Sequence, residues 1–386
     1  MSKLEELINT LCPNGVEYKL LGELCEIEKG KQLNKESLLQ FGKYPVINGG
    51  INPSGFWNEF NFDKNLITIS QGGASAGYVN YITTDFWAGA HCYVLVNPKY
   101  EINYRLLYHI IKQYEKELMS SQVGAGIPSV SSNKLSSLKI PVPPIEVQRE
   151  IVRILDNFTE LTAELTAELT ARKKQYEYYK HKILFFDSNV PKYKLSDIFN
   201  TRNGYTPSKS NKQFWNKNEI SWFRMEDIRE NGRILDKAIQ GVSKSAIKGT
   251  AFPANSIIVS TSATIGEHAL LKCESLANQR FTYLMIKDEY KDKYNIMFLF
   301  YYCFVLDEFC KENLNQGNFA SVDMHKFNDF EFPMPSLEEQ ERIVAILDRF
   351  DKLCNDISQG LPAEIEARKK QYEYYRDKLL TFKELS

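Results

Sequence analysis

From Ile145 to Phe186 apolar side chains return every three or four residues: Ile151, Ile154, Leu155, Phe158, Leu161 and Leu165, then Leu169, Tyr176, Tyr179 and Ile183. That period marks an amphipathic helix, and no Gly or Pro interrupts it. At 1.5 Å per residue such a helix is roughly 60 Å long. The pattern returns from Leu337 to Phe382, now broken by Gly360-Leu361-Pro362. Pro362 suits the first turn of a restarted helix. A long helix that is polar over most of its surface needs a partner. The two stretches are therefore expected to form a pair of long antiparallel helices, a coiled coil.

The rest of the chain reads differently. After an amphipathic helix at Ser2–Leu11 come short β-branched and aromatic runs between turn residues: YPVINGG, LITIS, YVNYI and CYVLV in the first half, ISWF, SIIVST, HALLKC and FTYLMI in the second. These read as strands. Each set is preceded by Tyr-Lys-Leu (Tyr18, Tyr193) and a polar turn holding Gly30 or Gly204. Small-residue loops follow the strongest strands, at Ser70–Gly77 and Ser260–Gly266. Helical segments come next at Ile102–Leu118 and Asn295–Glu312, then polar loops at 124–135 and 317–327. Each half thus holds one α/β unit of roughly 130 residues.

The halves repeat in detail. PVPPIEVQREIVRILDNF (Pro141–Phe158) answers PMPSLEEQERIVAILDRF (Pro333–Phe350), and ARKKQYEYY occurs at both Ala171–Tyr179 and Ala367–Tyr375. Repetition at this period decides the architecture. The fold class expected is mixed α+β: two α/β domains in a pseudo-twofold internal repeat, separated by the helix pair. The boundaries are 1–142, 143–187, 188–334 and 335–386. The first helix alone carries the tandem units Thr162–Leu165 and Thr166–Leu169, after a degenerate copy at Thr159–Leu161. Each unit advances a helix by about 6 Å and turns it by about 40°, so the repeat sets length.

Composition narrows the class only slightly. A net charge of -1, with 43% hydrophobic and 25% charged residues, fits a globular protein and leaves a polyanionic partner open. Seven cysteines without a C-x-x-C argue against a disulfide framework or a zinc site and for a reducing, cytoplasmic setting. The apolar run Ile296–Leu306 is too short to span a bilayer.

Order, duplication and spacing of these blocks resemble the specificity subunit of type I restriction–modification systems, in particular the members that carry TAEL spacer repeats. The similarity covers essentially the whole chain. It implies two target recognition domains, at 1–142 and 188–334, each reading half of a bipartite site in double-stranded DNA. The helices at 143–187 and 335–386 would separate them and dock two modification (methyltransferase) subunits, which restriction subunits then join. The resemblance further implies a non-catalytic chain without a cofactor of its own. S-adenosylmethionine would lie in the modification subunits, and ATP with magnesium in the restriction subunits.

Base reading needs Arg, Lys, Asn, Gln, Ser and Thr at base edges, and cations or amides on phosphates. Thr201–Lys248 holds twice as many basic as acidic residues, interleaved with Tyr205, Phe214, Trp215 and Trp222. The DNA-binding candidates there are Arg202, Asn203, Tyr205, Lys209 and Arg224; ordinary solvated lysines around core aromatics would read alike. In the first half the basic excess is weaker, and the candidates are Lys29 and Lys31. The small loops add Gln71, Gly72 and Ser75, and Thr261, Ser262 and Thr264, where backbone could approach a phosphate. Plain hairpin loops would look the same. Asn278 and Arg280 would share a face if their segment continues a strand. The doubled aromatic patches Tyr176, Tyr178, Tyr179 and Tyr372, Tyr374, Tyr375 suit partner docking, with seam packing as the alternative. The basic clusters Arg172-Lys173-Lys174 and Arg368-Lys369-Lys370 could touch the DNA backbone or an acidic partner surface, whereas Glu pairs at i,i+4, Lys173 with Glu177 and Lys369 with Glu373, would leave them as solvated helix faces.

Two rival classes fit the sequence less well. A stand-alone or fused DNA methyltransferase or nuclease would carry an Asn/Asp-Pro-Pro-Tyr/Phe tetrapeptide or a phosphate loop, and neither occurs. A structural coiled-coil adaptor would leave two large, diverged α/β units idle.

Overall fold

The apolar stripe after Pro144 forms one unbroken helix, Ile145–Ile183, 39 residues long. Its counterpart is interrupted, giving Leu337–Asn355 and Leu361–Leu379. In the computed structural model, which describes residues 3–99, 101–120, 129–315, 320–356 and 358–385, six helices have nine residues or more. In chain order these are α1 (Lys3–Leu11), α2 (Tyr104–Ser120), α3 (Ile145–Ile183), α4 (Ile296–Glu312), α5 (Leu337–Asn355) and α6 (Leu361–Leu379). Ser2 and residues 124–128 and 317–319 of the polar loops lie outside the described residues. No described helix is long and apolar enough to cross a membrane.

The chain divides into two units, residues 1–168 with 361–386, and residues 169–360. In the first unit, strands Glu26–Lys29, Cys92–Val96, Leu66–Ser70 and Val79–Ile82 lie side by side in that order, all antiparallel. A smaller sheet orders Gly55–Trp57, Tyr44–Ile47 and Trp87–Ala88. Glu17–Leu20 pairs with Lys139–Val142 and closes the unit beside its helices. The second unit repeats this with Phe199–Asn203, Phe281–Ile286, Ser256–Ser260 and His268–Leu271, adding Ile234–Leu235 at the far edge. Its smaller sheet orders Gly241–Val242, Ile220–Phe223 and Ser275–Ala277, and Lys192–Lys194 pairs with Glu331–Pro333. The mixed α+β fold and its duplication match the sequence pattern.

The helix stripe packs where its period places it. Val147, Ile151 and Leu155 of α3 are fully buried in the core of the first unit with α2 residues Leu106 and Ile110. Ile343 and Leu347 of α5 do the same in the second unit with Phe298 and Leu299 of α4. Each junction is locked by a buried glutamine. Gln148 donates to the carbonyls of Glu101 and Pro143 at 2.8 and 2.7 Å and accepts from the Asn103 N–H at 2.6 Å. Gln340 makes the same three bonds, to Lys293, Pro335 and Asn295. About two turns further along, Asp156 takes His109 Nε2 and Arg105 Nε at 2.8 Å each, while Asp348 takes the Tyr301 hydroxyl at 2.5 Å.

Candidate nucleic-acid interface

The strand ends decide where the candidate residues meet. In the first unit Lys29 stands opposite Tyr93, and Ser70 opposite Cys92, so three strands end at one edge. Beyond that edge the backbone ties the loops together. Gly30 N–H donates to Cys92 at 2.9 Å, Lys31 to Ala88 at 2.8 Å, and Gln71 to His91 at 2.8 Å. Val130 N–H returns to the Gln71 carbonyl at 2.8 Å. The second unit uses the same set: Gly204 to Phe281, Tyr205 to Ala277, Thr261 to Arg280, and Val322 to Thr261. At Gly30 and Gly204 the loops approach so closely that an added Cβ would lie 2.3 Å from the carbonyl oxygen of Gly89 or Asn278. Only glycine fits there.

On this shared scaffold the side chains differ. Lys29 and Lys31 are exposed beside half-buried Gln71, Gly72 and Ser75, and Gln71 Nε2 donates to the Tyr93 hydroxyl at 3.0 Å. In the second unit the corresponding contact joins the Thr261 and Thr282 hydroxyls at 2.9 Å, and Thr282 also donates to Asn203. Thr261 is thus buried and its hydroxyl engaged, whereas Asn203 is exposed. Arg202, next to Asn203 on the strand, faces the other way. Its guanidinium lies 3.9 Å from the Phe252 ring centre and donates to the Thr250 carbonyl. Tyr205 holds the distant loop at 246–248, its hydroxyl accepting from Lys248 N–H at 2.7 Å.

The strand expected through Asn278–Arg280 is instead a turn between Ser275–Ala277 and Phe281–Ile286. Asn278 spends its side-chain oxygen on the Arg280 N–H at 2.9 Å, and both Gln279 and Arg280 face solvent. The alternation argument fails because strand pairing stops at Ala277. Asn278 N–H donates to Phe223, so Arg224 adjoins this turn. Ser262 bridges to Ser321 at the same edge. Thr264 instead lines a cleft of about 1170 Å³ with Tyr176, Lys180 and Asp307. Lys209 and Arg224 line a separate cavity with Asn216 and Gln240. The last two were not legible as candidates, since only the three-dimensional fold brings WNKN and IQGV to Arg224.

The doubled tyrosines divide into three environments, the same in each unit. Tyr176 and Tyr372 pack inward; Tyr176 stacks on Phe350, and Tyr372 donates to His109 Nδ1 at 2.8 Å. Burial pushes both phenols well above their usual range. Tyr179 stacks on Phe350, and Tyr375 on Phe158. Tyr178 and Tyr374 are 61% and 62% exposed. The expected i,i+4 pairs are replaced: Glu177 binds Lys180, and Glu373 reaches Lys116 on α2. Lys180 is a helical neighbour at i+3, whereas Lys116 is a tertiary one. Beside Tyr179 a groove of about 720 Å³ is lined by Ile183, Phe185, Ile346 and Phe350.

Two copies of one loop scaffold, each carrying different side chains and packed with helices of its unit, define a protein with a duplicated recognition unit. The chain belongs to the family of the type I restriction modification DNA specificity domain, whose model matches residues 13–172 and 187–367. It is similar to the type I restriction enzyme EcoprrI specificity subunit of Escherichia coli, 56% identical over 198 residues, and spans about half of that relative, 49% of each chain being covered. A putative type I restriction enzyme specificity subunit of Haemophilus influenzae is 31% identical over 387 residues, covering 95% of this chain and 96% of the relative. The crystal structure of a type I restriction–modification S subunit from M. genitalium shares the fold, with a TM-score of 0.59 at 18% identity over 95% of this chain and 96% of that one.

Proposed function

We propose that this chain is the non-catalytic, sequence-reading subunit of a type I restriction–modification complex. Residues 1–142 and 188–334 each read one half of an asymmetric bipartite DNA site. The helices at 143–187 and 335–386 set the distance between the halves and dock two modification subunits, to which restriction subunits bind. Methyl transfer from S-adenosylmethionine belongs to the modification subunits, and ATP- and magnesium-dependent chemistry to the restriction subunits. The complex acts in the cytoplasm, where its DNA is.

One observation carries the reading: the same strand-end scaffold occurs twice with different side chains. Backbone bonds hold the loops in place while the exposed groups vary, as two readers of different sequences require. The exposed Tyr178 and Tyr374 and the apolar groove at Phe185 support docking on the helices, since tyrosine in partly apolar settings anchors interfaces. DNA enters the spacing argument through its helical repeat, which binding modules must match.

Deleting Thr166–Leu169 tests the reading. The rod loses about 6 Å and 40°, equivalent to about one or two base pairs of spacer at 3.4 Å per step. Methylome sequencing of cells carrying the deleted chain and its modification subunit is expected to show both half-sites intact and the spacer shortened. Changed half-sites around an unchanged spacer would refute it.

A further inference from the structure

The geometry points to the cavity around Arg224 as the reader of a guanine edge in the half-site taken by the second unit, a proposal that rests on the specificity-subunit reading above. The cavity has a volume of about 610 Å³. Trp215 and Trp222 wall it, edge to face with ring centres 5.0 Å apart. Arg224 sits within, its guanidinium 5.6 Å from the Trp222 ring centre. Its side chain is 26% exposed, and the nearest acid, Glu226, is 3.9 Å from Nε. That Nε is buried and has no hydrogen-bond partner. Buried donors are almost always met, so an unmet one recessed in a cavity points to a ligand with acceptors.

The arginine is held in place from below. Its backbone N–H donates to Asp227 Oδ2 at 2.7 Å, and Asp227 Oδ1 takes the Ile239 N–H at 2.6 Å. Fully buried Asp227 therefore couples Arg224 to the segment bearing Gln240, whose carbonyl accepts from Trp222 N–H at 3.1 Å. Asn216 Oδ1 accepts from the Ser243 hydroxyl at 3.0 Å, which orients the amide. The cavity thus presents a planar guanidinium and two carboxamides beside an aromatic pair. Such a set matches the edge of a base better than a phosphate. Guanine offers N7 and O6 side by side, and arginine is their commonest partner. Lys209 and Lys212, exposed at the same cavity, suit phosphate instead. The cavity adjoins the loop cluster, because Trp222 Nε1 donates to the Tyr205 carbonyl and Asn278 N–H to Phe223.

At the equivalent position the first unit carries no arginine. Ile47 pairs with Ala88 as Phe223 pairs with Ala277, which makes Asn48 the counterpart of Arg224. Asn48 Oδ1 is engaged by the His91 N–H at 3.2 Å. The guanine contact is therefore confined to one half of the site.

The test is methylome sequencing of a host carrying the full chain with its modification subunit, as wild type, Arg224→Ala, Arg224→Gln, and Lys209→Ala with Lys212→Ala. Arg224→Ala is expected to make one guanine position of one half-site degenerate, with roughly tenfold to hundredfold less discrimination there. The other half-site and the spacer stay unchanged, which also shows that the variant folds and assembles. Arg224→Gln should turn that position toward adenine. The double lysine variant should keep the motif and lower methylation at all sites. The proposal is overturned if Arg224→Ala keeps the full motif, whether at undiminished or uniformly reduced methylation. It is equally overturned if both half-sites change, or if both Arg224 variants abolish methylation altogether. A wild-type chain that yields no bipartite motif overturns the specificity-subunit reading itself, and this proposal with it.

Discussion

Replacing Gln148 with leucine isolates the lock between α3 and the first recognition unit. Leucine fills nearly the same space, so the cavity contribution is small and the cost comes from lost hydrogen bonds. Three groups lose their partner: the carbonyls of Glu101 and Pro143 and the N–H of Asn103. An unmet buried group costs about 1–3 kcal/mol. The bond to Pro143 is buried and incurs that cost in full, while the Glu101 and Asn103 bonds are only partly buried and can recruit water. The expected destabilisation is therefore about 3 kcal/mol, well above the change typical of a surface substitution. Urea unfolding measures the total. Hydrogen exchange locates it, because Asn103 caps α2 through the Arg105 and Leu106 N–H groups. Exchange should accelerate at that first turn and remain unchanged at the start of α4. Gln340→Leu should reverse the pattern. A loss below about 1 kcal/mol, or acceleration in both helices, would refute the argument.

Burial holds the His109 pKa below its usual value, against the opposing pull of Asp156. Burial also raises that of Asp156, but hydrogen bonds from His109 and Arg105 outweigh it and leave it lowered. With Asp156, Arg105, Tyr372 and Arg376 around the ring, the neutral imidazole donates to Asp156 and accepts from Tyr372. The unfolded chain takes up a proton near pH 6.5 that the fold resists. Stability is therefore full above about pH 6.5 and falls as pH drops below it. The thermal midpoint should decline more from pH 7.5 to 5.5 in the wild type than in His109→Gln, and equal declines would count against a buried neutral histidine. Replacing Tyr178 and Tyr374 together with alanine should leave the thermal midpoint unchanged but weaken binding of the modification subunit by roughly tenfold or more. Calorimetric titration checks this, and unaltered affinity would remove both side chains from the docking surface.

The long-period features were legible because local chemistry dictates them. The α3 stripe, the restart of α6 at Leu361-Pro362 and the strands between glycine turns all follow from residue type and spacing. Side-chain partners were not legible in the same way. Glu373 has Lys369 one turn away, yet Lys116 of α2 takes it. Arg202 is a basic residue on a strand end, but its stacking on Phe252 depends on a ring fifty positions later. Alternation assigns faces within a strand and does not reveal where pairing ends, which is why Asn278–Arg280 became a turn. Gln148 and Gln340 carried a signal in the repeated Pro-x-x-x-x-Gln spacing, but their burial depended on two loops that the spacing does not contain.

Part of what the two units repeat, and what they vary at the strand ends, has a physical reason. One set of repeated groups makes its bonds inside a unit: Gln148 and Gln340, Asp156 and Asp348, and the Phe158–Tyr375 and Phe350–Tyr179 stacks. Changing one of the glutamines or aspartates leaves a buried partner unmet, so each constrains its neighbours. At the strand ends the loops are held by backbone N–H and carbonyl groups, which every residue but proline supplies. Lys29 can therefore be replaced by Asn203, Lys31 by Tyr205 and Gln71 by Thr261 without loss of the ladder that positions them. Glycine at 30 and 204 is the exception, because there the neighbouring carbonyl leaves no room for a side chain. A scaffold of this kind separates stability from recognition. Its helices and glutamine locks tolerate little change, while its loop side chains can be exchanged to suit a new sequence. Arg224 against Asn48 is the sharpest such exchange: one position after equivalent strands holds a recessed arginine in one unit and an internally bonded asparagine in the other.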